Sequence, residues 1–316
     1  MLRQHARLKM TFSDLFNNDN ALADGIRRTF DLGSSAFPLR KIGAGFKSVV
    51  LGSPAGVVFR VALNRKARTG HRRECYVLSK LKSLLPFEVP EVLGYCEESD
   101  DFPFGVMMQK KIEGAPLGSV LKRSRRIQPI AVLMGELVLA IQKISQDDLP
   151  ELPSSSAPPP EETWSYAHAY LKAALTPREL YKAQDWWEQY CEDWELGCPV
   201  QWFSHGDLWH EHILFHATDE PRVAGVLDWE YAGFGDPIFD FVPQMRLGRE
   251  YVTCMLGAYQ AKGGEFGPGA LSRIELYLPY RELGGLCYCL ETGDMREAQF
   301  CVEKFRTVLA VVPVKQ

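Results

Sequence analysis

The chain has 316 residues, 46% of them hydrophobic and 24% charged, a soluble globular composition with room for two lobes of about 100 and 200 residues. A formal net charge of −4 argues against a general nucleic-acid binder. The longest apolar stretch, Pro129 to Ile144, is broken by Glu136 and Gln142 and is too short to span a bilayer. No apolar run follows Arg3, Arg7 and Lys9, so the expected setting is cytoplasmic, without secretory signal or membrane. The scattered cysteines, at 75, 96, 191, 198, 254, 287, 289 and 301, read as reduced thiols.

Residues 1 to 36 read as a leader with short helices over Thr11 to Phe16 and Ala21 to Phe30. Ser48 to Leu51 and Gly56 to Ala62 are β-rich runs joined by the turn signal Gly52-Ser53-Pro54-Ala55. Arg72 to Leu84 has helical periodicity, with Tyr76, Val77, Leu81 and Leu84 on one side. Phe104 to Met108 is a further strand. Gln128 to Ser145 reads as a long helix, and the Pro- and Ser-rich Leu149 to Glu162 as a mobile loop. Helices are expected over Thr163 to Ala174 and Pro177 to Leu196, then a hairpin at 202 to 229. Residues 237 to 310 are mostly helical, interrupted by the Gly-rich Gly263 to Gly269.

The most informative residues are His205-Gly206-Asp207-Leu208-Trp209-His210-Glu211-His212, followed by Leu227-Asp228-Trp229. Phosphoryl transfer needs a carboxylate to hold and deprotonate the attacking hydroxyl, metal ligands, and a nucleotide cradle. A kinase-type loop sets a metal ligand five residues after its base Asp and a second Asp on the next hairpin. Asp207 and His212 have that spacing, and Ile213-Leu214-Phe215 and Ala224 to Leu227 read as the hairpin's strands before Asp228.

HGDLWHEHIL, then GVLDWEYAGFGDPIFDF, resembles the paired signature of the aminoglycoside phosphotransferase family of small-molecule kinases, HGDLxxxNxL, then DWE and GDPxxDL. His212 stands where that family most often has Asn. Macrolide phosphotransferases and some aminoglycoside 2''-phosphotransferases also carry His there. The resemblance implies an α+β, two-lobed protein-kinase-like fold, with a small antiparallel-sheet N-lobe over 37–108, a hinge at 109–116 and a larger, mainly helical C-lobe over 117–316.

It also implies roles. Asp207 is the expected catalytic residue, and His212 and Asp228 the Mg²⁺ ligands, although imidazole is a poorer Mg²⁺ ligand than oxygen. Gly43-Ala44-Gly45-Phe46-Lys47-Ser48 is the expected phosphate-covering loop, through Gly43, Gly45 and Ser48. No Lys stands within Gly56 to Ala62, so Arg60 is the expected phosphate cation, paired with Glu74 on the next helix; Lys47 is the runner-up. The hinge residues Gln109 and Lys111 read the base edge through backbone, so ATP and GTP are not distinguished. His205, Asp236 and Asp240 brace the catalytic segment.

The acceptor pocket is expected from 163–198 and 237–310. Asp185, Glu188, Glu192 and Trp194, with Glu230, are candidate contacts to an amino sugar or macrolide; an amphipathic helix with a solvated acidic face reads equally well. The expected partner is a small-molecule hydroxyl compound, met by a monomer. Most favoured is an antibiotic, with a metabolic sugar, amino alcohol or homoserine-like acceptor as alternative. Two remoter readings remain. Four His at 205, 210, 212 and 216 suggest a zinc hydrolase, although His210 and His216 read most simply as exposed loop residues. A catalytically dead kinase-fold scaffold is the other, against which both Asp207 and Asp228 are present.

Overall fold

A computed structural model describes residues 19–45, 47–123, 127–152, 160–196, 201–218, 220–266 and 269–312. The fold class is the expected one: an antiparallel sheet in the N-terminal portion and a helix-rich remainder. The chain divides into two compact units. One takes the residues up to Glu113 together with Gly225–Glu230; the other takes Gly114–Ala224 and the residues from Tyr231 onward.

The first unit opens with α1 (Asp19–Phe30), then β1 (Arg40–Ala44), β2 (Ser48–Gly52), β3 (Val57–Ala62), α2 (Arg65–Leu81), β4 (Val92–Cys96) and β5 (Val106–Lys110). The five strands form an antiparallel sheet in the order β1-β2-β3-β5-β4. Leu22 and Ile26 of α1 are fully buried and share a core with Val49, Leu51, Phe59, Val61, Phe102 and Val106. Burial of such a side chain contributes about 1.5–3 kcal/mol. The described part of the expected leader is therefore an integral layer of this unit; the Thr11 to Phe16 helix falls outside the described residues.

Helix α2 starts seven residues before the expected Arg72. Asn64 caps it, its side-chain oxygen accepting from the Ala67 N–H at 2.9 Å. Its first turns are polar, so apolar periodicity appears only later. The strand expected at Phe104 begins at Val106. Gly105 precedes it at φ +92°, where an added Cβ would lie 2.7 Å from the carbonyls of Cys96 and Glu97.

The second unit contains β6 (Ala115–Pro116), α3 (Leu117–Arg123), α4 (Ile127–Gln142), α5 (Pro160–Ala174), α6 (Pro177–Leu196), β7 (Trp202–Ser204) and β8 (Ile213–Phe215). Strand β9 (Val223–Val226) returns the chain to the first unit; β10 (Gly233–Gly235) and α7 (Ile238–Phe241) follow in the second. Three long helices close the chain: α8 (Arg249–Ala261), α9 (Ala270–Thr292) and α10 (Met295–Val311). Strand β7 pairs antiparallel with β10, which fixes both ends of the segment from His205 to Ala232.

Of the expected loop at Leu149 to Glu162, Pro160 to Glu162 form the first turn of α5 instead, Pro160 occupying a position that needs no N–H donor; residues 153–159 lie outside the described set. Helix α6 is amphipathic around Trp186 and Tyr190, both buried. Among the described residues no helix is long and apolar enough to cross a membrane.

Candidate active site

In the first unit the centre is Arg60. It lies mid-strand on β3, opposite Val50 of β2 and Met107 of β5. Its Nη1 donates to Glu74 Oε2 at 2.5 Å and its Nη2 to Asp228 Oδ1 at 2.7 Å. Glu74 is fully buried on α2 and also accepts the Trp229 N–H at 3.3 Å. Burial pushes the Glu74 carboxyl up, against the opposing pull of Arg60. Glu74, Asp228 and Glu230 hold the guanidinium firmly in its charged form despite its burial. Asp228 is held at φ +66°, a backbone conformation a non-glycine residue adopts at a cost.

Glu230 is buried and accepts Lys47 Nζ at 2.8 Å. Of this candidate acceptor contact, one carboxylate oxygen thus meets a cation of its own unit, and burial raises its proton affinity. Ser48 is buried too, its hydroxyl 3.0 Å from the Nε2 of fully buried His71. Burial, reinforced by the Arg60 charge, lowers the His71 imidazole to about 3, and it is neutral.

Gly43 lies in β1, and an added Cβ there would meet only ordinary contacts with Val50; Gly45 N–H donates to the Ser48 carbonyl at 3.0 Å. Gln109 is buried in β5. The backbone N–H groups of Lys110 and Lys111 donate to the Glu91 and Gly56 carbonyls, both at 2.9 Å, and the Lys111 ammonium pairs with Glu113. The N–H donors of Lys110 and Lys111 in the expected hinge are thus occupied within the first unit.

In the second unit the segment after β7 is fixed at several points. Asp240, fully buried on α7, accepts the His205 N–H at 3.0 Å and the Gly206 N–H at 2.9 Å. Burial pushes its carboxyl up to about 7. Gly206 has φ +80°, and an added Cβ would sit 2.6 Å from the Tyr231 carbonyl, so no side chain fits. The Asp207 N–H donates to His205 Nδ1 at 3.2 Å. Buried Gln244 donates its amide to the Leu208 carbonyl.

His212 Nδ1 lies 3.1 Å from the Asp207 carbonyl. A carbonyl only accepts, so this nitrogen carries the hydrogen and Nε2 is the ring atom with a lone pair. Asp207 Oδ1 accepts from Arg281 Nη2 at 2.9 Å. Asp236 accepts the Ile238 N–H at 3.0 Å and Arg273 Nη2 at 2.5 Å; Arg273 also donates to Asp193 at 2.7 Å. Asp236 therefore ties α7 to α9, while the bonds to the catalytic segment come from Asp240.

Of the expected acceptor residues, Asp185 is bonded to Gln189 one turn on, at 2.9 Å, Glu188 and Glu192 lie on the exposed face of α6, and Trp194 stacks on Tyr190. The aromatic residues of α6 build a core: Trp187 stacks on Trp164 at 5.0 Å, and Tyr190 on Tyr280 at 4.8 Å. His210 is half-buried with its ring 4.0 Å from Trp209, and His216 is also half-buried, so neither is the freely exposed loop residue expected. Among the described residues no group of three or more His, Cys, Asp or Glu converges as a metal site.

Arg281, His71, Gln244 and Arg273 went unnoticed in sequence. Gln244 and His71 carry no motif. Arg281, in Leu278-Pro279-Tyr280-Arg281-Glu282-Leu283, had one signal: a cation in an apolar helical stretch.

Comparisons with known proteins bear on the fold and the family. The chain is 28% identical over 263 residues to viomycin phosphotransferase of Streptomyces vinaceus, covering 80% of this chain and 87% of that one. Among solved structures it is similar to the GDP complex of aminoglycoside 2'-phosphotransferase-IIIa, with TM-score 0.81 and 15% identity over 93% of this chain and 99% of that one. A macrolide 2'-phosphotransferase from Brachybacterium faecium matches with TM-score 0.63 and 21% identity over 94% and 100%. The pattern of the phosphotransferase enzyme family spans residues 39–275. The chain belongs to that family and is an O-phosphotransferase.

Proposed function

We propose that the protein transfers the γ-phosphate of ATP or GTP to a hydroxyl of a small-molecule antibiotic and so inactivates it. One observation carries the chemistry: Asp207 stands on a segment whose two preceding backbone N–H groups are held by buried Asp240. The kinship over most of the chain with a viomycin phosphotransferase favours an antibiotic acceptor.

In this reading Asp207 orients the acceptor hydroxyl and takes its proton. The hydroxyl oxygen forms a bond to the γ-phosphorus as the bridging bond to the β-phosphate breaks, and the nucleoside diphosphate leaves with the electron pair. The transition state is loose, so positioning supplies the larger part of the acceleration. Mg²⁺, when bound, neutralises charge on the phosphates. Asp228 offers it a hard carboxylate oxygen, and His212 offers Nε2, a weaker donor for this ion. Arg60 and Lys47 are the cations available to phosphate in the first unit, each exchanging a carboxylate for it. The solvated face of α6, with Glu188 and Glu192, supplies acid for a cationic acceptor. The net charge of −4 suits a small acceptor better than a nucleic acid, and we place the enzyme in the cytoplasm as a monomer.

The test is a coupled nucleotide-consumption screen against viomycin, kanamycin, gentamicin, streptomycin, a macrolide and simple amino alcohols. Turnover with an antibiotic supports the reading; turnover confined to amino alcohols or sugars replaces it with a metabolic kinase. Asp207→Asn should lower kcat by about two to four decades with nucleotide affinity nearly unchanged. A variant that keeps most of its turnover would remove Asp207 from the role of base.

A further inference from the structure

We propose that Arg281 is a positioning residue for Asp207: its guanidinium, seated over the Trp209 ring, holds one carboxylate oxygen and leaves the other to take the acceptor's proton. The proposal rests on the reading of Asp207 as base.

The backbone around Asp207 is already held at five points. Asp240 holds the N–H groups of residues 205 and 206, His205 holds that of 207, His212 donates to the carbonyl of 207, and Gln244 donates to the carbonyl of 208. The freedom left is the rotation of the Asp207 side chain itself. Arg281 Nη2 removes it, at 2.9 Å from Oδ1. The other oxygen, Oδ2, lies 3.9 Å from His212 Nδ1, beyond hydrogen-bond range, and that nitrogen's hydrogen is given to the Asp207 carbonyl.

Arg281 is itself constrained. Its guanidinium carbon sits 4.5 Å from the centroid of the Trp209 ring, two residues beyond Asp207 on the same segment. A cation over an indole face is attracted by the ring quadrupole, and Arg suits the stacked geometry better than Lys. Helix α9, which carries Arg281, is anchored near its start by Arg273 to Asp193 and Asp236. Both ends of the 2.9 Å contact are thus tied to rigid elements. An ordinary surface ion pair couples two mobile side chains and contributes little.

Positioning through another residue has a signature that structural support lacks. With the best-turned-over acceptor among viomycin, kanamycin and gentamicin, Arg281→Ala should lower kcat about 10- to 100-fold while nucleotide KM stays within about twofold. Arg281→Lys should recover part of the loss. The Asp207→Asn/Arg281→Ala double variant should be no slower than Asp207→Asn, because the clamp has no base left to orient. Methylguanidinium added to solution should restore turnover to Arg281→Ala and leave Asp207→Asn unchanged. Wild-type kcat in Arg281→Ala, or a double variant slowed by the product of the two single losses, would overturn the proposal while Asp207 remained the base. An active Asp207→Asn would instead overturn the base assignment, and the clamp with it. Since Arg281 is partly exposed, an unchanged unfolding midpoint in Arg281→Ala separates the kinetic loss from misfolding.

Discussion

The buried carboxylates at the candidate site are answered differently in the two units. In the first, Glu74 and Glu230 meet side-chain cations, Arg60 and Lys47. In the second, Asp240 meets two backbone N–H groups, while away from the site Glu275 and Glu282 meet Arg249 and Arg246. A cation–carboxylate pair is strong in place but fails badly when one partner goes, since the other is left charged and desolvated. Backbone donors cannot be mutated away, and they fix the chain itself rather than another side chain. Under the proposed function the first arrangement suits a phosphate-facing surface, where a cation must be free to exchange one anion for another. The second suits a segment whose geometry must not change.

The sharpest way to break this contrast is Arg60→Ala. It leaves Glu74 buried without its cation and should cost about 3–5 kcal/mol in urea unfolding. A loss below about 1 kcal/mol would mean that Glu74 simply takes up a proton, so that the unit does not depend on its ion pair.

The pH dependence of stability sharpens the contrast further. The Asp240 carboxyl is raised from 3.8 to about 7, so the unfolded chain releases its proton first as pH rises. Its contribution is full below about 4 and is lost as pH climbs to about 7. His71 runs the other way. It is lowered from 6.5 to about 3, so its contribution is full above 6.5 and is lost as pH falls toward 3. Asp240→Asn should remove the first limb and His71→Gln the second, read as unfolding free energy between pH 4 and 7. Unaltered profiles in both would show that neither group titrates as its burial requires.

The smallest effect belongs to an exposed pair. Arg28 donates to both oxygens of Asp101, at 3.0 and 2.7 Å, on the surface of the first unit. Arg28→Ala should cost under about 1 kcal/mol. A loss matching that of Arg60→Ala would mean that burial is not what separates these pairs.

Much of the candidate site was legible because its residues are local in sequence. Gly206-Asp207, His212 and Asp228 lie within one hairpin, and the β-rich runs of β2 and β3 alternate with turn residues. Arg60 and Glu74 were legible as a strand cation and a helix acid. What escaped depends on distance along the chain. Nothing local in Arg281 points to Asp207, 74 residues away, and nothing in Ser48 points to His71. Glu230 read as a candidate acceptor contact, and nothing local in it points to Lys47, 183 residues away. Helix α2 was misjudged at its start because a polar first turn held by Asn64 leaves no apolar period to read. Strand β4 was not located because Gly94 interrupts its short run and most of it is only half-buried.

The distribution of indole rings has an optical consequence. Of the seven tryptophans, Trp164, Trp186, Trp187, Trp194, Trp202 and Trp209 belong to the second unit, and Trp229 to the first. Trp229 is fully buried, with its ring N–H on the Val226 carbonyl at 2.9 Å. Intrinsic fluorescence therefore reports almost wholly on the helical unit, and its difference from a Trp229→Phe variant isolates the emission of the sheet-bearing one. The chain carries its own pair of dyes, one for each half, with which the loss of either can be timed separately.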